Sequence, residues 1–284
     1  MQCHCGLQPA DSLIRRGFKL EQHSFYVCPA CKKHVRRLAQ GMCCDWCGQA
    51  FPNMGGAPDF TVGQGLVEDT QSSLIRRAYG RFFDLIAPIY ESPAWYQLTL
   101  NLSGARGNSI RSIAEFLQTS LAGVTGTILD VACGPATYSR RIALPTREVY
   151  GIDLSVGMIR QGLRYLKKAS LSNVHLARAN VLHLPFEAAV FDGAICAGSI
   201  HLFPDLAVAL REIKRTMKVG APLAVQTFVP ASSKGKPSIK QKTGFHEYQP
   251  QELIEQLSNA GFGELTACLN GTVLLARAKL ITAA

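Results

Sequence analysis

The sequence predicts an α/β protein in which a Rossmann-like sheet follows a small metal-binding module. From residue 127 onward, short apolar runs alternate with helical patterns, as in a parallel sheet covered by helices. Asn270-Gly271 separates the last two strand-like runs and predicts a hairpin, which a plain dinucleotide-binding sheet lacks. Two CxxC pairs lie near the N-terminus. The length of 284 residues leaves room for one cored domain and an appendage.

Composition predicts a soluble, cytoplasmic protein. No stretch approaches the roughly 20 apolar residues that a membrane-spanning helix requires, and Met1–Gly6 lacks the basic and apolar regions of a secretory signal. Seven of the ten cysteines lie in the first 47 residues. In a reducing compartment such a cluster favours metal binding over disulfides.

The formal net charge of +10 suggests acidic partners, but the basic residues are not concentrated in one arm. Positions 1–60 hold seven basic and four acidic residues, and positions 61–284 hold 23 and 16. Basic clusters on predicted helices are more often solvated faces. An RNA or anionic-lipid surface is the alternative reading.

The first element is a predicted zinc ribbon. Cys28-Pro-Ala-Cys31 and Cys44-Asp-Trp-Cys47 are two CxxC turns separated by 12 residues, and the polar segment 32–42 between them suits a short hairpin. Two turns with two thiolates each complete a tetrahedral zinc site. Because four protein ligands leave no position for water, we expect a structural role for the metal.

Other residues near this module offer alternative ligands. Cys3 and Cys5 are reserves for the same ion, or for a second ion shared with His23 or His34.

The next segments predict a linker and a helical lead-in. Residues 52–70 are rich in Gly and Pro, so we divide the chain into a zinc-ribbon-like module (1–60), a linker (61–73) and the main domain (74–284). Residues 71–121 show helical periodicity that breaks at Pro88 and at 104–107. The aromatic-rich stretch 79–90, which ends at Tyr90, either covers a ligand or packs against the sheet.

The main domain carries polar groups where its strands end. Asp130 stands near the end of the first strand, and the small-residue turn 132–137 leads into a helix, which places backbone amides beside a ligand. Asp153, 23 residues later, is positioned to accept both hydroxyls of a ribose. Asn180 follows the third strand, where a side chain reaches an adenine amino group. The strands are predicted over 127–131, 148–152, 174–179, 191–197 and 222–228.

Five segments together resemble the motifs of class I S-adenosylmethionine-dependent methyltransferases: LDVACGPATYS, GIDLSVGMI, ARANVLHLPF, FDGAICAGSIHLF and LREIKRTMKVGAPLAVQTF. The similarity covers roughly residues 75–280 and is greatest to the branch with the ubiquinone/menaquinone C-methyltransferases. It implies a seven-stranded sheet with a reversed C-terminal strand and S-adenosyl-L-methionine as cofactor. The cofactor contacts expected on this basis are Tyr90, Asp130, Ala132, Cys133, Gly134, Asp153, Leu154, Met158, Asn180, Val181 and Gly198.

Three departures from the family pattern are visible. Ala132 and Ala136 replace two usual glycines, Asn180 stands where Asp is common, and 219–221 replaces a usual Pro-Gly-Gly. Small residues remain in each place, so cofactor binding is expected. A non-catalytic binding protein with this fold is an alternative that these departures leave open.

The acceptor is predicted from what surrounds the core. The aromatic lead-in at 79–90 and the insertion 229–248 favour a small apolar or aromatic acceptor, such as a quinone, phenol or lipid-like molecule. The basic charge, the zinc ribbon and the lysines of 234–242 favour an rRNA or tRNA base instead, with the module gripping RNA. His201 and His246 are the candidate catalytic bases. The sequence makes no prediction of the oligomeric state.

Overall fold

The computed structural model of the protein describes residues 25–62, 80–102, 104–105, 107–229, 246 and 248–282. An antiparallel sheet comes first, formed by β1 (Val35–Leu38), β2 (Gly41–Cys44) and β3 (Ala50–Pro52) in that order. The hairpin predicted between the CxxC pairs is therefore present as β1 and β2, with Val35 opposite Cys44. Among the helices of the described residues, none is long and apolar enough to cross a membrane.

The main domain alternates helices and strands as the sequence pattern predicts. Its helices are α1 (80–86), α2 (Pro93–Leu102), α3 (Ile110–Ser120), α4 (Ser139–Ile142), α5 (Val156–Ala169), α6 (Leu206–Thr216) and α7 (Pro250–Asn259). Its strands are β4 (Gly126–Val131), β5 (Arg147–Asp153), β6 (Val174–Arg178), β7 (Gly193–Ala197), β8 (Pro222–Phe228), β9 (Phe262–Asn270) and β10 (Val273–Leu280).

These strands form one seven-stranded sheet in the order β6-β5-β4-β7-β8-β10-β9. Neighbours from β6 to β8 are parallel, whereas β10 is antiparallel to both β8 and β9. The α/β fold and the reversed C-terminal strand are thus confirmed. The chain runs outward from β4 to β5 and β6, then returns to β7 on the other side of β4. That reversal opens a crevice at the carboxyl ends of β4 and β7, where α/β sheets bind ligands.

Two apolar layers cover the sheet. One joins buried side chains of α3, α4 and α5, such as Leu117, Ile142 and Ile159, to β4 and β5. The opposite layer joins α6 and α7 to the other face of the sheet, and it also includes Tyr26 and Phe51 of the N-terminal module. The module therefore shares a hydrophobic core with the main domain.

The Gly/Pro-rich stretch begins inside the fold, contrary to its reading as a linker from residue 52. Asn53 bridges to Pro58 across a turn in which Gly55 and Gly56 have φ of 82° and 123°, a region that favours glycine. Phe60 is fully buried, and its backbone N–H donates to the Arg178 carbonyl at 2.8 Å. This stretch extends the sheet beyond β6 as a parallel neighbour. Of the predicted linker 61–73, all but the first two residues lie outside the described residues.

Candidate cofactor site and cysteine cluster

The turn after β4 places a strained backbone at the mouth of the crevice. Ala132, Gly134 and Ala136 have φ of 54°, 56° and 61°, in the left-handed region. An alanine in this conformation costs roughly 1–2 kcal/mol relative to right-handed backbone. The two alanines therefore keep the turn geometry of the usual glycines at an energetic cost. Strain of this kind is concentrated at ligand sites.

Asp130 lies beneath this turn and is almost fully buried. Its Oδ2 accepts a hydrogen bond from the Ser139 hydroxyl at 2.6 Å. Burial raises the pKa of Asp130 to about 7, although the Ser139 hydrogen bond opposes the shift. Within the described residues no ion pair neutralises this carboxyl group, so it is a candidate ligand for a cationic group.

Asp153 ends β5 beside the same turn. Its Oδ2 accepts from the Gly134 N–H at 2.9 Å, and its Oδ1 accepts from the Ser155 N–H at 2.8 Å. Burial raises the pKa of Asp153, and these backbone hydrogen bonds oppose the shift. A carboxylate has about four acceptor positions, so each oxygen keeps capacity for a hydroxyl of a bound ribose.

The predicted adenine contacts differ in exposure. Met158 is buried against Ile86, whereas Leu154 is 39% exposed. Asn180 caps a short 3-10 turn, because its Oδ1 accepts from the Leu182 N–H at 3.0 Å, and Val181 is buried beside it.

The aromatic lead-in covers the turn. A Cβ on Gly134 would lie 3.9 Å from Cε1 of Tyr90, so this ring stands over the turn. Two carboxylates that the sequence analysis missed hold the lead-in in place. Asp84 Oδ1 accepts from the Ser155 hydroxyl at 2.6 Å, and Glu91 binds Arg140 through both of its oxygens. Asp84 lies within the aromatic stretch and Glu91 directly follows it, and that position is the signal that identifies them.

The opposite wall of the crevice holds the candidate bases. Gly198 follows β7 with φ of 78°. His201 Nδ1 lies 3.4 Å from the buried Thr227 hydroxyl, which orients the ring. His246 donates its backbone N–H to the His201 carbonyl at 2.9 Å, and its exposed ring stacks on Tyr248. The structure therefore brings the two predicted histidines together through the backbone.

The four predicted cysteines meet at one point. Sγ atoms of Cys28, Cys31, Cys44 and Cys47 all lie within 4.8 Å of one another. Three of the separations are 3.5, 3.7 and 3.8 Å. Zinc–sulfur bonds of about 2.3 Å in a tetrahedron require roughly 3.8 Å between sulfurs. The cluster therefore fits a tetrahedral metal ion.

Among the reserve ligands, His34 lies within the described residues and does not join this cluster. His34 instead places Nδ1 3.1 Å from Asp45 Oδ2. Cys3, Cys5 and His23 lie outside the described residues, as do the lysines at 234–242.

The cysteine module contacts the segment that follows Asn180. Val27 donates its N–H to the Pro185 carbonyl at 3.0 Å, and the Tyr26 ring stacks on Phe186. Lys32, next to Cys31, donates to Glu212 at 2.8 Å. The cysteine cluster is thus joined directly to a loop that begins at the predicted adenine edge.

The sheet order, the reversed β10 and the carboxylates at the ends of β4 and β5 together are those of the class I methyltransferase fold. Residues 128–220 match the family model described as methyltransferase domain. The chain therefore contains a methyltransferase domain over these residues, preceded by a four-cysteine cluster, and the resemblance to class I methyltransferases found in the sequence is confirmed.

Individual relatives agree with this assignment. An uncharacterized methyltransferase of Arabidopsis thaliana, named as chloroplastic, is 24% identical over 230 residues, which are 74% of this chain and 64% of that protein. The demethylmenaquinone methyltransferase of Listeria welshimeri is 37% identical over 100 residues, covering 34% of this chain and 42% of that protein. The chain thus spans less than two thirds of each of these relatives.

A solved structure supports the fold. Geranyl diphosphate methyltransferase in complex with SAM superposes with a TM-score of 0.53 at 18% identity, over 60% of this chain and 85% of that chain.

Proposed function

We propose that the protein transfers a methyl group from S-adenosyl-L-methionine to a small apolar or aromatic acceptor of the quinone, phenol or lipid-like class. The observation that carries the proposal is the crevice itself: the buried carboxyl group of Asp130 and the partly buried carboxyl group of Asp153 flank a strained turn under Tyr90. A buried acid to which the described residues supply no ion pair is costly for the fold alone. The demethylmenaquinone methyltransferase relative supports the acceptor class.

The proposal assigns a role toward each group of the cofactor. Asp130 would bind the ammonium group, Asp153 would bind the ribose hydroxyls, and Met158 and Val181 would pack on the adenine. When bound, S-adenosylmethionine supplies an electrophilic methyl group on a sulfonium. The protein holds the acceptor in line with that methyl group and excludes water, which is a positioning task.

His201 is the proposed base for an acceptor hydroxyl. Its Nδ1 lies 3.4 Å from the Thr227 hydroxyl, which orients the imidazole, and an imidazole is the side chain best suited to take a proton near neutral pH. His246 is the weaker candidate, because its ring is exposed and stacked on Tyr248.

The four cysteines are proposed to hold a structural Zn²⁺, since four thiolates complete its coordination. A compartment that keeps thiols reduced, such as the cytoplasm, suits this site.

One observation favours the RNA alternative. Trp46, within the second CxxC turn, is 76% exposed, and Lys33 Nζ lies 5.9 Å from its ring centroid. An exposed aromatic ring beside a cation is able to stack on an unpaired base.

A methyl-transfer assay tests both acceptors. The full chain is incubated with tritiated S-adenosylmethionine and either a short-chain demethylmenaquinol or total RNA. We expect label in the quinol and a loss of at least tenfold in rate for His201→Gln, because a base contributes roughly 10²–10⁴-fold. His183→Gln, at the far end of the 3-10 turn, is the matched control. Label in RNA alone would contradict the proposed acceptor, and label in neither would favour the non-catalytic alternative.

A further inference from the structure

Two polar atoms at the carboxyl side of the main sheet stand out. In the part of the chain that the structure describes, the buried side-chain atoms without a hydrogen-bond partner are Thr137 Oγ1 and Gln226 Nε2. Thr137 lies in the turn after β4, and Gln226 lies near the end of β8. A buried donor left unpaired is costly. Two such atoms, one after β4 and one near the end of β8, indicate that polar groups not present in the fold itself pair with them.

The position of Gln226 is fixed by its neighbours. It pairs with Ala197 of β7, and its carbonyl accepts from the Gly198 N–H at 2.8 Å. A Cβ on Gly198 would lie 3.5 Å from Gln226 Oε1. The amide therefore stands beside the loop that carries Gly198, and only 1% of the residue is exposed.

The side chain of Gln226 faces away from that of Thr227, the next residue in β8. Consecutive strand residues point to opposite sides of a sheet, so Thr227 meets His201 while Gln226 faces the α3 and α4 side. The cofactor carboxylates end β4 and β5, whereas Gln226 is on β8, beyond β7. The amide therefore lies at the β8 end of the crevice, two strands away from Asp130 on β4.

We propose that Gln226 binds an oxygen atom of the methyl acceptor through Nε2 and so sets specificity for oxygen-bearing acceptors. The inference rests on the proposed function, because it assumes that a small acceptor occupies this crevice. An amide N–H donates to a hydroxyl, carbonyl or enolate oxygen. A hydrocarbon of the same shape leaves the donor unpaired and is rejected, as in sites built to hydrogen-bond a substrate hydroxyl.

Binding of two probes tests the inference. The full chain, saturated with S-adenosylhomocysteine, is titrated with 1-naphthol and with naphthalene, and the ratio of the two affinities is measured. Q226M is expected to lower this ratio by about tenfold, the size of one hydrogen bond of about 1.4 kcal/mol. Its S-adenosylhomocysteine affinity should stay within twofold. Its Tm should be equal to or above that of the wild type, because an unpaired buried amide is removed.

The outcomes separate this role from a structural one. Q251M, an exposed exchange of the same kind on α7, is the control and should leave the ratio unchanged. An unchanged ratio in Q226M, a lowered Tm, a weakened S-adenosylhomocysteine affinity, or no binding of either probe to the wild type would overturn the proposal. If naphthol binds through Gln226 but no acceptor receives methyl label, the proposed function fails and this inference stands.

Discussion

The turn after β4 and the cysteine module differ in how their polar groups are satisfied. The turn holds alanines at positive φ, carboxylates with raised pKa and, beside it, an unpartnered Thr137 hydroxyl. The module instead pairs with the main domain through backbone hydrogen bonds and the Lys32–Glu212 ion pair. The polar groups of the turn are costly for the fold, whereas those of the module stabilise it. Unsatisfied polar groups therefore mark the candidate cofactor site, and satisfied ones mark its support.

Removal of the metal should produce the largest effect. In C28S/C44S we expect loss of about one equivalent of zinc and a Tm lower by roughly 10 °C or more, because metal-binding energy is folding energy and the module shares the main core. Metal analysis and thermal unfolding measure both. Cys268, exposed on β9, gives the control C268S, which should retain metal and Tm. Retention of the metal in C28S/C44S would show that other residues bind it.

The pH dependence of stability tests the energetic cost of ionising the buried carboxyl group of Asp130. Its folded pKa of about 7 lies above the ordinary aspartate pKa of 3.8, so ionisation destabilises the fold as pH rises from about 4 to about 7 and adds nothing further above that. The Asp130→Asn variant has no carboxyl group to ionise at this position. The difference between its free energy of unfolding and that of the wild type should therefore increase between pH 5 and pH 8, by at most about 4 kcal/mol. Urea unfolding at the two pH values measures the difference, and a pH-independent difference would refute it.

The link between the module and the adenine edge predicts a smaller effect. Lys32→Met removes the ion pair to Glu212, which Arg215 still neutralises. We expect a loss of about 1 kcal/mol in unfolding free energy, as for a partly exposed pair, and a fewfold weaker S-adenosylhomocysteine affinity. Lys279→Met, which breaks the ion pair to Glu264 far from the module, is the control. Equal cofactor affinity in both variants would show that the link is structural only.

Relief of strain in the turn gives the smallest expected effect. Ala132 has φ of 54°, so Ala132→Gly should raise the free energy of unfolding by about 0.5–1 kcal/mol. Ala143, with φ of −65°, is the control and should lose stability on the same exchange. A destabilised Ala132→Gly would mean that the turn is not strained.

Much of this fold was predictable, because strand ends and turns are encoded locally. The sequence predicted the Asn270-Gly271 hairpin, the paired CxxC turns and the acids at the ends of β4 and β5. The structure has each of these features at the predicted position. The packing of Phe60 beside β6 was not predictable from the sequence. The Gly and Pro residues around Phe60 are typical of linkers, and this composition does not distinguish a free linker from a loop that packs on a sheet. Gln226 was missed for a related reason: a single polar residue in an apolar strand gains meaning only once its partners are known.

Cofactor affinity tests the central claim most directly. Isothermal titration of S-adenosylhomocysteine is compared for the wild type, Asp153→Asn and the control Asp205→Asn, whose Asn still caps α6. The wild type should bind, Asp205→Asn should bind equally, and Asp153→Asn should bind about 10–100-fold more weakly, because hydrogen bonds to a charged group contribute roughly 1.5–3 kcal/mol. Absence of wild-type binding, or equal affinity in Asp153→Asn, would contradict a cofactor site at the end of β5.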